Sequence, residues 1–174
     1  MSELESMLRE FREEAATTRR VLERVPTDKL TWKPHERSMS LGQLALHIAM
    51  VPAAIANITK QDTFDVSQSR FIQPMPTSME EVHATLDQTI RSVEQLLKET
   101  TNDTAQANWH LMFGDEELQS IPRVAAWRSL MLNHWYHHRG QLSIYLRLLD
   151  VPVPAIYGPS ADENPFFGRL NPAA

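Results

Sequence analysis

Apolar residues recur every three or four positions in four stretches of the chain, with charged and polar residues between them. This spacing places the apolar side chains on one face of an α-helix and predicts helices at about 2–24, 40–57, 78–100 and 121–149. The apolar seams are Leu4, Leu8, Phe11, Ala15 and Leu22; Leu41, Leu44, Ile48, Val51 and Ile55; Val82, Leu86, Ile90, Val93 and Leu97; and Trp127, Met131, His134, His138, Gln141, Tyr145 and Leu148. The pattern indicates an all-α fold, a four-helix bundle in a single domain at 1–174.

Polar residues and proline mark the breaks between the predicted helices. Ser40 with Gln43 is a capping-box signature at the start of the second helix, and Pro52 predicts a kink inside it. Residues 60–77 lose the helical period and predict a long crossover or lid. Residues 108–120 fit either a short hairpin or an irregular loop.

The end of the chain, residues 150–174, is rich in proline but also carries large apolar side chains. Ile156, Tyr157, Phe166 and Phe167 predict an ordered C-terminal tail that packs on the bundle.

The composition is that of a globular protein, with 42% hydrophobic and 22% charged residues. The absence of cysteine means that any metal site must use nitrogen and oxygen ligands. A net charge of −5 argues against a nucleic-acid partner and favours small molecules. The N-terminus has no apolar leader, and no stretch approaches the ~18 consecutive apolar residues of a membrane span. We therefore expect a cytoplasmic protein with no membrane partner.

Three histidines fall within the stretch NHWYHHRGQL at 133–142 of the fourth predicted helix. His134 and His138 project about 40° apart, from one face of the helix, and can hold one metal ion. Both continue the predicted core-facing seam, whereas His137 points about 60° away from His134. His47 has the same relation to the seam of the second helix. The three imidazoles are therefore expected to converge inside the bundle.

Two interpretations of this cluster remain open. In one, the histidines are core residues satisfied by hydrogen bonds to neighbouring side chains. In the other, they hold a divalent ion such as Zn(II) or Ni(II) with coordination positions open to water or substrate, since a buried imidazole without a partner costs about 1–3 kcal/mol. His35, His83 and His110 lie in or beside polar segments and are expected to be solvated.

Several neighbours of the cluster have both a functional and a structural interpretation. Gln141 orients the bound ligand or a histidine ring, or else simply packs. Arg139 binds an acidic substrate or, more commonly for an arginine, forms a surface or helix-end ion pair. Asp162 and Glu163 supply an acid or base if the tail folds over the cavity, and are otherwise solvated. The aromatic neighbours are expected to pack rather than to bind a cofactor: Trp135, Tyr136 and Tyr145.

Two blocks of the sequence carry a family resemblance. TWKPHERSMSLGQLALHIA at 31–49 and NHWYHHRGQLSIYLRLL at 133–149, with the tail motif VPVPAIYGPSADE, resemble the DinB-like family, also called YfiT-like metalloenzymes. The resemblance implies an up-down-down-up bundle, often a homodimer, and a divalent metal, commonly nickel or zinc, held by three histidines. Carried over position by position, the metal ligands fall on His47, His134 and His138, and His137 is not among them.

The resemblance describes the chemistry only in outline. Some relatives are thiol-dependent transferases or isomerases that act with low-molecular-weight thiols. We therefore expect a metal-dependent enzyme of transferase or hydrolase type whose metal activates water or the thiol of a small cofactor. The alternative is a non-catalytic, stress-related module that binds a metal or a ligand.

Overall fold

The computed structural model describes residues 2–70 and 72–166, which are mostly helical. Three long helices come first: α1 (Glu3–Leu22), α2 (Leu41–Ile58) and α3 (Met79–Glu99), with the short α4 (Asn102–Gln106) after them. A fourth long helical segment spans 123–148. This segment and α3 each contact both α1 and α2, so the four enclose one apolar core.

Serine caps begin the first two helices. Ser2 Oγ accepts a hydrogen bond from the Glu5 amide at 3.2 Å, and the Glu5 carboxylate accepts one from the Ser2 amide at 2.7 Å. Ser40 and Gln43 form the same reciprocal pair at 3.2 and 3.0 Å, so the predicted capping box is confirmed. These bonds satisfy amides that have no partner inside the helix and fix where each helix starts.

α2 is the most apolar of the long helices. Leu41–Ile58 has a mean hydropathy of 1.5 and, within the described part of the chain, is the one helix long and apolar enough to cross a membrane. The sequence analysis expected no such stretch. Because 56% of this window is buried inside the protein, α2 has the apolar surface that a core helix needs. Pro52 lies inside it.

A small sheet corrects the all-α prediction. β1 (Thr63–Asp65) pairs in parallel with β2 (Asn108–Phe113), and β2 pairs in antiparallel with β3 (Glu116–Pro122). β2 and β3 form the hairpin that was one of the two alternatives for this region, and Gly114 turns it with a left-handed φ of 58°. β1 lies in the predicted crossover, where a strand of three residues has too few positions to show an alternating pattern.

Arg123 ties the sheet to the helices. Its buried guanidinium donates to the Thr59 carbonyl at 3.0 Å and pairs with Asp62, which directly precedes β1. Trp109 on β2 is fully buried and donates to the Ile58 carbonyl at 3.4 Å. These contacts hold the end of α2 against the start of the last helical segment.

The last helical segment contains a π-helical stretch. α5 (Arg123–Ala126) leads into π-helical residues Trp127–Asn133, which continue as α6 (His134–Leu148). A π turn holds more residues than an α turn, so every later side chain is rotated from its place in a continuous α-helix. The predicted seam is therefore wrong by one position after Met131. The residues of α6 that are buried are Trp135, Arg139, Leu142 and Leu146.

The described part of the C-terminal tail, 150–166, packs against the helices. Val153 and Ala155 are buried, and Ile156 packs on the core. Ser160 Oγ donates to the Val153 carbonyl at 2.6 Å and folds the tail back on itself. The rest of the predicted tail, 167–174, which includes Phe167, lies outside the described residues.

Candidate metal centre

The three histidines selected from the sequence come together between α2 and α6. His47 lies in the second turn of α2, and His134 and His138 occupy the first two turns of α6. One ring nitrogen of each histidine lies within 4.8 Å of the other two. The ring centroids are 4.5–5.5 Å apart, and each residue is half-buried. Within 2–70 and 72–166, no carboxylate joins this group.

His134 and His138 flank the buried seam of α6 instead of forming it. Trp135, which fills the seam between them, stacks on Phe11 with ring centroids 5.3 Å apart. Its indole nitrogen donates to the Ile48 carbonyl at 2.8 Å. Ile48 directly follows the third histidine in α2, so this bond fixes the two helices at the level of the cluster.

Burial keeps the imidazoles neutral. It lowers the pKa of His47 to about 4, and the nearby His138 and His134 rings lower that pKa further. Burial also lowers the pKa of His134 and of His138. A metal binds the lone pair of a neutral imidazole, so protons compete weakly for these rings near neutral pH.

A hydrogen bond on the far side of the His138 ring selects which of its nitrogens carries the lone pair. His138 Nδ1 donates to Gln141 Oε1 at 2.8 Å, which leaves Nε2 without a proton. The Nε2 atom of His134 faces His138, and the backbone of Leu130 partly offsets the lowering of the His134 pKa by burial.

The two Nε2 atoms of this pair are 2.7 Å apart. At that distance one nitrogen shares its proton with the other in a hydrogen bond between the rings, or a cation binds both lone pairs. His134 and His138, with His47 as a third ligand, would hold a divalent ion here. The donor set of three neutral imidazoles therefore fits a divalent metal ion.

Gln141 orients a histidine ring, which was one of the roles considered for it. Its amide oxygen accepts from His138, and its amide nitrogen donates to His137 Nε2 at 3.0 Å. His137 is exposed, and it does not belong to the group of three. It therefore contacts the site through Gln141 and through the edge-on His138 ring, whose centroid is 5.1 Å from its own, as a neighbour of a ligand candidate.

Arg139 corrects the sequence analysis, which placed it on the surface or at a substrate. It is 1% exposed and pairs with Glu14 of α1 at 2.5 Å. It also donates to Thr18 Oγ1 at 3.1 Å and to the Tyr157 hydroxyl at 2.5 Å. The rotation caused by the π turn puts this side chain in the core, where a charge needs several partners.

The two tail carboxylates do not join the histidines. Asp162 pairs with Arg147 and accepts from the Val153 amide at 2.8 Å. Glu163 pairs with Arg20 at 2.5 Å and accepts from the Ala155 amide at 3.0 Å. Neither is simply solvated, because both hold the tail on the bundle.

The remaining histidines lie outside the cluster. His35 is exposed, as expected, and His83 is half-buried on α3. His110 differs from the expectation, because it is half-buried and its Nδ1 lies 2.6 Å from a Glu117 carboxylate oxygen.

The aromatic neighbours pack, as expected. Tyr136 donates to Glu10 at 2.9 Å, and Tyr145 meets Trp32 edge-on with ring centroids 5.7 Å apart.

The crossover lies beside the histidines. Arg70, Ile72 and Gln73 line a cavity that His47 and His134 also line. The sequence analysis predicted a crossover or lid in this region but singled out none of these three residues, since no periodicity or motif marks them.

Comparison with known proteins identifies the family. The model of the DinB family matches residues 1–165. The chain belongs to the DinB family. The uncharacterized protein YrdA of Bacillus subtilis is 27% identical over 170 residues, which are 97% of this chain and 96% of YrdA.

Solved DinB-like structures share the fold. A DinB-like protein from Bacillus cereus aligns over 88% of this chain and 97% of its own, with a TM-score of 0.69 and 23% identity. YjoA from Bacillus subtilis aligns over 83% and 92%, with a TM-score of 0.64 and 19% identity. A DinB family protein from Exiguobacterium sibiricum aligns over 93% and 98%, with a TM-score of 0.62 and 18% identity.

Proposed function

We propose that this DinB family protein is a metal-dependent enzyme in which His47, His134 and His138 hold a divalent ion, nickel or zinc. The observation that carries the proposal is the pair of Nε2 atoms 2.7 Å apart beside a third neutral imidazole. When bound, such an ion lowers the pKa of a coordinated water or thiol and so supplies a nucleophile near neutral pH. The reaction class is transfer or hydrolysis on a small molecule.

The chain's own residues would bind the ion and orient the rings that hold it. The three neutral rings present nitrogen donors without a compensating negative charge, so the bound ion keeps its full charge for activating a fourth ligand. Gln141 holds the His138 ring in the tautomer whose Nε2 is free. Half-burial of the rings leaves one side of the site open to the adjoining cavity.

The test of the metal site is a double substitution, His134→Ala with His138→Ala. Protein purified without a His tag should bind about one nickel or zinc ion per chain by titration calorimetry and elemental analysis. The double variant should lose this ion while its helix content by circular dichroism stays unchanged. His110→Ala is the matched control and should keep the ion. Stoichiometric metal in the double variant would sink the assignment.

A non-catalytic, stress-related binding module is the second candidate. It is favoured by the lack of any carboxylate in the histidine group, in the part of the chain that the structure describes, since such a group often serves as general base. Metal-loaded protein should be screened with thiol donors and electrophilic acceptors. Saturable turnover that chelation removes supports the enzyme, whereas a change in thermal stability alone on chelation supports the module.

We also infer that the four long helical segments follow an up-down-down-up order. Three sets of contacts support this order. Arg12–Glu94 and Arg19–Asp87 join α1 to α3, and Trp127–Thr59 and Tyr145–Met39 join the last segment to α2. Arg128–Glu10 and Arg139–Glu14 join the last segment to α1. In the first two sets the residue number rises on one helix as it falls on the other, so those helices are antiparallel. In the third set both numbers rise together, so those helices are parallel. Helices that pack side by side in this way form a bundle.

The remaining parts of the proposal concern setting and assembly. We propose a single-domain, cytoplasmic protein that acts on a small molecule or with a thiol cofactor, and not on nucleic acid or at a membrane. We further propose a homodimer. Ile144 and Leu148, which are 60% and 58% exposed one turn apart on α6, offer an apolar surface for it.

A further inference from the structure

A cavity of about 270 Å³ lies directly against the candidate metal centre. His47 and His134 form one side of it, and apolar side chains that include Met50 and Ile55 of α2 form most of the rest. The pocket is smaller than the ~300–1,000 Å³ of sites for drug-sized ligands, so it suits a small molecule. A larger groove of about 390 Å³ lies between α1 and α3, but no histidine lines it.

The outer wall of the cavity comes from the crossover between α2 and α3. Ile72 lines the cavity and is 73% exposed, so its apolar surface is available to a ligand. The wall is held in place because Gln43 of α2 donates to the Gln73 carbonyl at 2.9 Å. Gln43 is fixed in turn by its capping bond to Ser40. This wall is therefore tied to the same helix that carries His47.

Of the described residues that line this cavity, Arg70 is the one with a positive side chain, and none carries a carboxylate. Arg70 makes no ion pair with an acidic residue in the described ranges, 2–70 and 72–166. The chain as a whole carries a net charge of −5. The positive charge of Arg70 at this apolar cavity is therefore opposite in sign to the net charge of the chain. Guanidinium groups bind carboxylates with paired hydrogen bonds, which makes them suited to selecting an anion.

We propose that this cavity selects a small substrate that combines an apolar body with a carboxylate. The apolar body packs between Ile55 and Ile72, and the carboxylate pairs with Arg70. Arg70 is then a specificity-determining residue. The inference rests on the proposed function, because it assigns the substrate class of the same site.

The test compares phenylacetate with phenylacetamide, which have nearly the same shape but differ in charge. Metal-free protein is used, so that a carboxylate cannot gain affinity by binding a metal. Isotope-labelled methionine methyl groups give an NMR reporter inside the cavity at Met50, assigned with Met50→Leu. We expect saturable shifts of the Met50 signal, and a dissociation constant at least about threefold lower for phenylacetate, the size expected for an exposed charge pair.

Three variants complete the test. Arg70→Gln should remove the preference for phenylacetate, and Arg70→Lys should retain part of it. Ala54→Phe, which places a ring in the cavity from α2, should weaken both compounds together. Equal affinities in the wild type, an unchanged preference in Arg70→Gln, or no shift at Met50 with either compound would each overturn the inference.

Metal titrations keep the two proposals distinguishable. Arg70→Gln should bind nickel or zinc like the wild type, because Arg70 is outside the histidine group. Failure of the wild type to bind metal would reject the metal centre, while the phenylacetate preference at Met50 would still report the anion-selective cavity. Metal binding with no phenylacetate preference would reject the cavity assignment alone.

Discussion

Replacing Arg139 with methionine removes the centre of a buried charge network. The guanidinium is 1% exposed, and its partner Glu14 is 14% exposed. Arg139 also donates to Thr18 and Tyr157, and it lies 5.3 Å from the centre of the Tyr136 ring. Methionine keeps an apolar stem of similar length but leaves the Glu14 carboxylate in the core without its cation.

The expected loss is about 3–5 kcal/mol in the free energy of unfolding, the usual cost of removing one partner of a buried ion pair. This is a large share of the roughly 5–15 kcal/mol that stabilises a folded domain. For a chain of this size each kcal/mol lowers Tm by about 2–4 °C, so Tm should fall by roughly 10 °C.

Urea denaturation followed by tryptophan fluorescence and by circular dichroism measures this loss. Arg128→Met is the matched control, because Arg128 pairs with Glu10 at 2.6 Å between the same two helical segments but the side chains are 44% and 34% exposed. It should cost less than about 1 kcal/mol. Arg139→Met combined with Glu14→Leu should recover part of the loss, because no buried charge stays unpaired. Equal losses for the two arginines, or no recovery in the double variant, would refute the reasoning.

Three further substitutions test packing and surface charge. Gly42→Ala should destabilise the protein by about 1–3 kcal/mol, since the new Cβ would lie 3.1 Å from both the Cβ and the carbonyl oxygen of Leu30. Gly140→Ala should stabilise it by up to about 1 kcal/mol, because a Cβ there would meet nothing within 4 Å. Urea denaturation compares the two variants. Hydrogen bonds from Arg12 and, to a smaller extent, Lys98 lower the pKa of Glu94 from 4.5 to about 2. The ionised Glu94 therefore stabilises the folded protein above pH 4.5, and this contribution is lost as the pH falls toward 2. Glu94→Gln should cost about 1 kcal/mol at neutral pH, because its partners are half exposed, and clearly less near pH 2, where about half of the Glu94 carboxyl is protonated; an equal cost at both pH values would contradict this.

Local signals explain why the first three helices could be predicted. The Ser40 and Gln43 pair is encoded within four residues, and the buried positions of α3, such as Val82 and Leu86, follow one unbroken period. β1 is different, because its three residues gain their hydrogen bonds from β2, more than forty positions away in the chain. No local pattern encodes that pairing.

The π turn escapes sequence analysis for a related reason. Its residues, Trp127–Asn133, have the same composition as an α-helical seam, and only the packing around them shows that one extra residue is accommodated. As a result the environment predicted for Arg139 was wrong. The spacing of His134 and His138 was nevertheless informative, because both rings lie after the turn and are rotated together, so their relation to each other does not change.

That shared rotation has a functional consequence. In a continuous α-helix from Trp127, the predicted seam would place His134 and His138 in the core, where a small molecule has no route to a bound metal. The π turn instead puts Trp135 and Arg139 in the core and leaves the two histidines half-buried, one of them lining the cavity with His47. π turns are frequent at functional sites, and here the turn separates the residues that hold the fold from those proposed to hold a metal. The Arg139 network and the proposed metal centre therefore lie on two different faces of one helix. Arg139→Met should lower the stability of the protein, whereas His134→Ala with His138→Ala should abolish metal binding.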